Sequence, residues 1–252
     1  MYVDSHTHLL RLERPPGEAV RMAREAGVGA VVNIGTDVED SRRGAELVTA
    51  LPGVYSAAGI HPQNAGNYTA EDLEALAELL EEPGIVALGE VGLDYYREYW
   101  SKEVQQALFE DVISLANDTR IPLIIHNREA FDDTMGCLSR ARVPVVLHCF
   151  EGGEREIREA GERGYYIGLA GNVTFRKSVT AGFLHLIDPG RLLIETDAPY
   201  LSPEPVRGTR NEPKNVVYTA RFIAERLGMK PEELGRMTAR NARDVFGLPL
   251  EV

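Results

Sequence analysis

Eight short apolar runs, rich in β-branched residues, recur along this chain and alternate with stretches of helical periodicity. Most of the runs are continuously apolar, which is typical of parallel strands buried on both faces of a sheet. Eight such strands in 252 residues, each followed by a helix, predict an α/β fold, a (β/α)8 TIM barrel that forms a single domain over residues 1–252. We predict the strands at residues 2–5, 30–34, 54–59, 85–89, 123–126, 145–148, 165–169 and 192–195.

The stretches between the predicted strands have amphipathic spacing. One of them places leucines on a single face, behind a capping-box pattern at Thr69 and Asp72. Two final helical stretches, at residues 213–227 and 231–246, are one more than a barrel needs. We therefore expect an extra C-terminal helix that packs on the outside or the bottom of the barrel.

The net charge and the cysteine content of the chain exclude some classes of protein. The chain carries 27 Lys and Arg residues against 39 Asp and Glu residues, a formal net charge of −12, which argues against a non-specific nucleic-acid coat. A metal site that gathers phosphates remains compatible, since bound divalent cations dominate the nearby field. Cys137 and Cys149 form no CxxC motif, so we expect no disulfide framework and a cytoplasmic location. The strand-length apolar runs and the N-terminal sequence predict neither a membrane span nor a signal peptide.

His6 and His8 stand two residues apart at the end of the first predicted strand. Side chains on a strand alternate between its two faces, so both imidazoles project to the same side. Such a pair offers two nitrogen ligands to one divalent metal ion. On its own the pair is a weak signal, and its weight depends on where the other histidines and acidic residues lie.

Further residues of metal-ligand type stand at the C-terminal ends of other predicted strands. Glu90 follows the fourth strand, His126 and His148 end the fifth and sixth, and Asp197 follows the eighth. Barrel enzymes build their active sites at this face, so we expect these four side chains to converge with the histidine pair. Imidazole and carboxylate ligands fit Zn²⁺ or Mn²⁺ and are nitrogen-rich for Mg²⁺. Six ligands exceed what one catalytic ion needs. Two ions that share a carboxylate account for all six ligands better than one ion does.

Taken singly, each of these six residues has a structural alternative. A histidine at a strand end is often only hydrogen-bonded, and an aspartate after a strand is often a helix N-cap. Because all six fall on the same face of the predicted barrel, the cluster rather than any one member carries the metal prediction.

His61 and Arg128 are candidates for substrate contact at the same face. His61 follows the third strand, where it would donate to a phosphate oxygen or protonate a leaving group. A seventh metal ligand or a hydrogen bond that orders the loop is the alternative. Arg128 stands two residues beyond His126 and has the geometry to clamp a phosphate with two donors. A salt bridge to a neighbouring carboxylate is its alternative.

The loops after the predicted strands also carry basic residues, which predict a locally basic mouth on an acidic protein. Acidic residues in the same loops weaken this prediction, namely Glu98, Glu103, Glu151 and Glu204. The basic residues are Arg97, Lys102, Arg176, Lys177, Arg207, Arg210 and Lys214.

Seven short motifs extend this pattern in order along the chain. They are DSHTHL at 4–9, GIHP at 59–62, GEVGLDY at 89–95, HNREA at 126–130, HCF at 148–150, ETDAPYL at 195–201 and RNEP at 210–213. Together they resemble the TatD-like metal-dependent hydrolases, a branch of the amidohydrolase-type barrels, over essentially the whole length.

The resemblance implies a role for each candidate residue. The implied ligands of one divalent ion are His6, His8, Glu90 and Asp197, and those of the second ion are Glu90, His126 and His148. His61 and Arg128 are implied to bind the substrate. A hydroxide activated by both ions would be the nucleophile, with Asp197 taking its proton. Glu90 and His61 complete the implied catalytic set.

Three functions stay open at this point. The resemblance favours a deoxyribonuclease that cleaves phosphodiesters in the 3′-5′ direction at single-stranded DNA ends, with no obligate protein partner. The same ions would also serve a metal-dependent esterase or amidase, such as an aminoacyl-tRNA deacylase. A non-catalytic binding or scaffold barrel needs no complete ligand set, so the six ligands argue against it. The choice among Mg²⁺, Mn²⁺ and Zn²⁺ stays open, because site affinity and cellular availability favour different ions.

Overall fold

A computed structural model of the protein describes residues 1–97 and 99–251. Glu98, one of the acidic loop residues named above, and Val252, the last residue of the predicted domain, lie outside the described residues. The described chain forms a sheet of eight strands that are neighbours in chain order. The strands are β1 (Tyr2–Thr7), β2 (Val28–Ile34), β3 (Val54–Ala58), β4 (Ile85–Asp94), β5 (Leu123–Arg128), β6 (Val145–Leu147), β7 (Tyr166–Leu169) and β8 (Leu192–Ile194).

The sheet closes where β8 returns to β1. A parallel bridge joins Thr7 to Ala198. The backbone N–H of Asp197 donates to the carbonyl of His6 at 2.9 Å, and the N–H of His8 donates to the carbonyl of Ala198 at 2.8 Å. The ladders along the sheet are parallel, as the continuous apolar runs predict. All eight predicted strands and the (β/α)8 TIM barrel are therefore confirmed.

Helices follow the strands with one exception. Their bounds are α1 (Pro16–Glu25), α2 (Val38–Ala50), α3 (Ala70–Leu79), α4 (Lys102–Thr119), α5 (Phe131–Leu138), α6 (Glu154–Glu162), α7 (Val216–Leu227) and α8 (Pro231–Phe246). The helix expected after β7 is wrong, because residues 171–191 form short 3-10 helices instead. This segment contains three glycines, one proline and five β-branched residues, which have low helix propensity.

The chain groups into two compact units. The first unit comprises Met1–Asn33, Leu51–Val54 and His148–Val252, and it contains β1, β7, β8, α1, α6, α7 and α8. The second unit comprises Ile34–Ala50 and Tyr55–Leu147, and it contains β4, β5, β6 and α2 to α5. The single domain over residues 1–252 stays a prediction.

In the first unit, α8 packs against the amino ends of β1 and β8. Gly235 lies so close to Tyr2 that an added Cβ would stand 2.6 Å from the tyrosine ring. The side-chain amide of Asn241 donates to the carbonyls of Pro189 and Leu192 at 2.7 and 2.8 Å. The extra C-terminal helix is present, and it covers the end of these strands opposite to the predicted site.

In the second unit, β4 and β5 run further than predicted, to Asp94 and Arg128. Glu90 therefore lies within a strand rather than after one. The ladder between the two strands shifts register between Leu88 and Val91, and an irregularity of this kind re-aims the side chain that it contains. Beyond the shift, Asp94 pairs with Arg128, so the two strands end side by side.

The predicted capping box of α3 is also present. The Thr69 hydroxyl accepts from the Asp72 N–H, and the Asp72 carboxylate accepts from the Thr69 N–H at 2.9 Å. Caps of this kind contribute about 1 kcal/mol to stability. No helix in the described part of the chain combines the length and the apolar composition that a membrane crossing requires. Cys137 and Cys149 are both thiols, and the cytoplasmic location stays a prediction.

Candidate metal centre

The first unit gathers His6, His8, His148 and Asp197, which we call the first cluster. Oδ1 of Asp197 lies 3.4 Å from Nε2 of His8 and 3.7 Å from Nε2 of His6. The rings of His6 and His148 are stacked, with centroids 3.7 Å apart. The structure thus brings together three imidazoles and one carboxylate, all predicted from the sequence as metal ligands.

Local backbone geometry explains how Asp197 reaches the two histidines of β1. Its φ is +53°, a left-handed conformation that turns the chain sharply after β8. Its N–H bonds to the carbonyl of His6, so the ligand-bearing end of β8 is fixed to the ligand-bearing end of β1. Burial would raise the pKa of Asp197, but the contact with His8 and the neighbouring imidazoles outweigh it and hold the pKa below its usual range.

Asp4 and Asn211 brace this turn from two sides. Asp4 is fully buried and accepts from the N–H and the hydroxyl of Thr196, at 2.8 and 2.6 Å. Burial raises the pKa of Asp4 well above its usual range. The Asn211 amide donates to the carbonyls of Thr196 and Tyr200 at 2.9 and 2.7 Å. The RNEP motif therefore does more than start a helix, since its asparagine holds the loop that carries Asp197.

Glu195 orients the ring of His148, and this role was not predicted from the sequence. Its Oε1 lies 3.1 Å from Nδ1 of His148 and accepts from the Cys149 N–H at 2.6 Å. Oε2 accepts from the Ser5 hydroxyl at 3.4 Å, and Gly168 leaves the space that this carboxylate occupies. A carboxylate acceptor places the imidazole proton on Nδ1 and leaves Nε2 as the ligand atom.

Glu195 and His148 can be grouped with His6 as a possible ligand set, because their ligand atoms lie within 4.8 Å of one another. We assign Glu195 the outer role instead, since both of its oxygens already accept hydrogen bonds. The sequence signal for it was available, because Glu195 stands two residues before Asp197 at the end of a buried strand.

The second unit gathers His61, Glu90 and His126, which we call the second cluster. Oε1 of Glu90 lies 2.6 Å from Nδ1 of His126 and 3.8 Å from Nε2 of His61. The ring centroids of the two histidines are 4.5 Å apart. The remaining predicted ligands and the predicted substrate residue His61 therefore also meet in space.

Asp94 supplies the outer partner of His126. Its Oδ2 lies 3.0 Å from Nε2 of His126, which places the ring proton on that nitrogen. Nδ1 lies at hydrogen-bond distance from the Glu90 carboxylate, 2.6 Å from its Oε1, and is the ring nitrogen left to bind a metal ion. Burial opposes ionisation of Asp94, yet the hydrogen bonds from His126 and the Arg97 N–H outweigh it and lower the pKa.

His61 has the opposite tautomer. Its Nδ1 accepts a hydrogen bond from the Gln63 N–H at 3.1 Å, so the proton of the neutral ring lies on Nε2. Nε2 is the atom that faces Glu90. A nitrogen that carries a proton donates a hydrogen bond and does not bind a metal ion. The ring therefore fits a substrate contact better than a seventh ligand, and the loop-ordering hydrogen bond is made at the same time.

A buried glutamine and a tryptophan hold the second cluster in place. Gln105 on α4 is 2% exposed, accepts from the Asp94 N–H at 2.8 Å and donates to the Asp94 carbonyl at 3.0 Å. It also donates to the carbonyl of Trp100 at 3.1 Å, and the Trp100 indole donates to the carbonyl of Gln63 at 2.9 Å. One network thus positions both Asp94 and the loop of His61.

Arg128 lies at the outer end of β5 beside this network. Its guanidinium carbon is 3.8 Å from the centroid of the Tyr96 ring. Its charge also contributes to the lowered pKa of Asp94. Among the described residues its contact is this cation–π interaction, which keeps a positive charge at the rim of the second cluster.

The donor chemistry of both clusters fits divalent metal ions. Two ligands that each lie about 2.1 Å from one zinc ion are about 3.4 Å apart at a tetrahedral angle. The separations of Asp197 from His8 and His6, 3.4 and 3.7 Å, are of this size and too long for strong hydrogen bonds. His126 and His148 each have an outer carboxylate, as metal-binding histidines do. Candidate metal-binding groups of histidine and glutamate thus exist in each unit.

Comparison with known proteins agrees with this chemistry. The sequence model of the TatD related DNase family matches residues 3–247. A metal-dependent hydrolase of Bacillus subtilis, YabD, described as uncharacterized, is 36% identical over 98% of this chain and 99% of its own length. A Citrobacter rodentium protein named 3′-5′ ssDNA/RNA exonuclease TatD is 36% identical over 93% of this chain and 92% of its own length.

A solved structure gives the same result for the fold. The crystal structure of YJJV, a TatD homologue from Escherichia coli, superimposes with a TM-score of 0.89 at 27% identity, over 98% of each chain. The family match covers almost the whole barrel, including both clusters. The chain therefore belongs to the TatD-related DNase family and is a metal-dependent hydrolase.

Proposed function

We propose that this protein is a 3′-5′ exonuclease of single-stranded nucleic acid that uses two divalent metal ions. The observation that carries the proposal is the first cluster, in which Oδ1 of Asp197 lies 3.4 and 3.7 Å from Nε2 of His8 and of His6. The second cluster supports it, because Glu90, His61 and His126 offer a further group of ligand atoms close together. The names of several relatives support the choice of a nucleic-acid substrate.

The proposed ligand assignment is the one that the family resemblance implies. His6, His8 and Asp197 of the first cluster would hold one ion together with Glu90. Glu90 would share its carboxylate with a second ion, held by His126 and His148. Parallel strands place their carboxyl ends at one face of a barrel, which supports this convergence.

The chain's own residues would then supply the proton transfers and the contacts with the substrate. When bound, the ions would lower the pKa of a water molecule and neutralise charge on the phosphoryl group. Asp197 is ionised at neutral pH and would accept the proton that this water loses. His61 would donate from Nε2 to a phosphate oxygen or to the leaving group. Arg128 would balance the charge of the phosphodiester at the rim.

A reconstitution experiment tests this proposal. The purified protein is stripped of metal and reloaded with Mg²⁺, Mn²⁺ or Zn²⁺. It is then offered 5′-labelled single-stranded DNA, the same sequence as RNA, and an aminoacyl-tRNA. We expect mononucleotides to be released from the 3′ end in the presence of a metal ion. Hydrolysis of the aminoacyl ester alone would refute the nuclease proposal in favour of an esterase.

His185 provides a matched control within the same chain. It is the one histidine of six that the sequence does not place in either cluster, and its side chain is exposed on the 3-10 helix Leu184–Leu186. His185→Ala is expected to retain full activity with every metal ion. The proposal includes a cytoplasmic location and no obligate protein partner, so the purified chain alone should suffice in the assay.

A further inference from the structure

The loop between β4 and α4 carries several aromatic rings, of which two are already used to hold the loop. The Tyr95 hydroxyl donates to Asp133 at 2.9 Å, and burial together with this carboxylate raises the pKa of Tyr95 to about 12. The Trp100 indole donates to the carbonyl of Gln63. These two rings fix the course of the loop and are not available for a ligand.

Tyr96 differs from both, because the residue is 53% exposed even with the Arg128 guanidinium placed 3.8 Å from its ring centroid. Arg97 lies 5.9 Å from the centroid of the same ring. Exposed tyrosine rings contribute little to packing, whereas a cation over one keeps it in a fixed orientation. In a chain of net charge −12, this ring and its two arginines form a positively charged aromatic surface.

The position of this surface relates it to the second cluster. His126 and Arg128 lie on the same side of β5, because strand side chains alternate, and they are about 7 Å apart along the strand. On β4, Asp94 binds His126, and the Tyr95 N–H donates to the Arg128 carbonyl at 2.9 Å. Tyr96 therefore stands one step outward from the residues that hold His126.

We propose that Tyr96 and Arg128 form a stacking subsite for a nucleobase of a single-stranded nucleic acid. The proposal rests on the proposed function and specifies where that substrate is held. The exposed surface of the Tyr96 ring receives the base, and the guanidinium of Arg128 donates to the adjacent phosphate. Every base has an aromatic face, so such a subsite is tolerant of sequence, as an exonuclease requires. Double-stranded ends, whose bases are paired and stacked, are poor ligands for it.

Tyr99 supplies a matched control in the same loop. Its ring is also 53% exposed, and the structure places no cation over it among the residues it describes. Three variants of the metal-loaded enzyme are compared with the unmodified protein: Tyr96→Ala, Tyr96→Phe and Tyr99→Ala. A thermal melt of each variant checks that it is folded. We expect unchanged melting temperatures, because an exposed ring contributes little to folding.

KM and kcat are measured for 5′-labelled single-stranded DNA. They are measured again for four oligonucleotides, each with an abasic nucleotide at a different one of the last four 3′ positions. We expect Tyr96→Ala to raise KM roughly tenfold with kcat nearly unchanged, because a stacked base contributes about this much to binding. Tyr96→Phe keeps the ring and should stay close to the unmodified enzyme, as should Tyr99→Ala. One abasic position should raise KM for the unmodified enzyme by the same factor and have no effect on Tyr96→Ala.

Two results would overturn the subsite while leaving the exonuclease intact. In the first, Tyr96→Ala degrades the oligonucleotides as the unmodified enzyme does. In the second, Tyr99→Ala raises KM as much as Tyr96→Ala. A third result concerns the proposed function itself: if the unmodified enzyme degrades no single strand with any metal ion, both proposals fall together. The unmodified enzyme's activity thus separates the two failures.

Discussion

The two clusters differ in how deeply their histidines are buried. In the first cluster, the side chains of His6, His8 and His148 are 0%, 6% and 5% exposed. In the second cluster, those of His61 and His126 are 12% and 16% exposed. Buried imidazoles that face a carboxylate are suited to holding an ion, and more exposed ones are suited to meeting a substrate. Under the proposed function, the first cluster would serve mainly to bind metal and the second also to bind the phosphodiester.

The residues that brace each cluster follow the same division. Asp4 and Glu195 brace the first cluster from buried strand positions, with 0% exposure each. Gln105 and Trp100 brace the second cluster through a loop that also carries the exposed Tyr96 ring. A loop can change between relatives without disturbing the strands. Substrate preference is therefore expected to vary at the second cluster while the first stays unchanged.

The largest expected effect comes from removing a ligand of the first cluster. His6→Ala or Asp197→Ala should abolish hydrolysis, at least about 10³-fold, because a catalytic ion supplies several kcal/mol of transition-state stabilisation. The measurements are the hydrolysis rate, the bound metal by elemental analysis and the circular dichroism spectrum, with His185→Ala as the control. Full activity in either folded variant would falsify the two-metal proposal.

Removing His61 should have the next largest effect and should act on the chemistry alone. We expect His61→Ala to lower kcat about 10²-fold, the usual contribution of a positioned proton donor, with the metal content unchanged. His61→Gln keeps a donor and should recover part of the loss. If His61→Ala instead loses a metal ion, the residue is a ligand and the tautomer assignment is wrong.

Changing the outer carboxylates should have a smaller effect that is confined to one ion. Asp94→Asn and Glu195→Gln should each weaken metal binding about 10- to 100-fold, as for other outer partners of ligating histidines. Both act on histidines assigned to the second ion, so metal titration should show one weakened and one unchanged site. Equal weakening of both ions would contradict the proposed sharing of ligands between the clusters.

The smallest expected effect concerns stability next to the first cluster. Glu212 bonds to Arg14 at 2.8 Å and to Lys214 at 2.6 Å, and although burial opposes it, these partners lower its pKa. Because the pKa is lower in the folded state, the stabilisation is present above the unfolded pKa of about 4.3 and is lost as the pH falls through the folded pKa.

Glu212→Gln should therefore lower the free energy of unfolding by about 1 kcal/mol at pH 7, and the difference should shrink below about pH 4. Urea unfolding at several pH values measures it. Glu25→Gln, which removes an exposed ion pair with Arg21, is the matched control and should cost less than about 0.5 kcal/mol. A loss for Glu212→Gln that is constant from pH 3 to 7 would show that packing, not charge, is responsible.

The sequence predicts the ligands well because their positions follow from strand ends. His6 and His8 are two residues apart, and alternation alone places them on one side. His126 and His148 end apolar runs that read clearly as buried strands. Where each ligand lies along its strand is less certain, since β4 continues to Asp94 through a register shift that leaves no mark in the composition.

The bracing residues could not be assigned from the sequence, because their partners depend on register. Asp94 reaches His126 only because Gly92 pairs with His126 across β4 and β5. Glu195 reaches His148 from a strand 47 positions further along the chain. The structure of the segment after β7 was not predicted, because the regular alternation of strands and helices suggested a helix that its glycines and β-branched residues disfavour.

The closure of β8 onto β1 has a consequence for the synthesis of this enzyme. The bond from the Asp197 N–H to the His6 carbonyl joins the start of the chain to a residue in its last quarter. A nascent chain emerges amino end first, so the histidine pair leaves the ribosome long before its carboxylate partner. The first cluster is therefore completed only after β8 has been made. Under the proposed function, the chain would stay inactive until then.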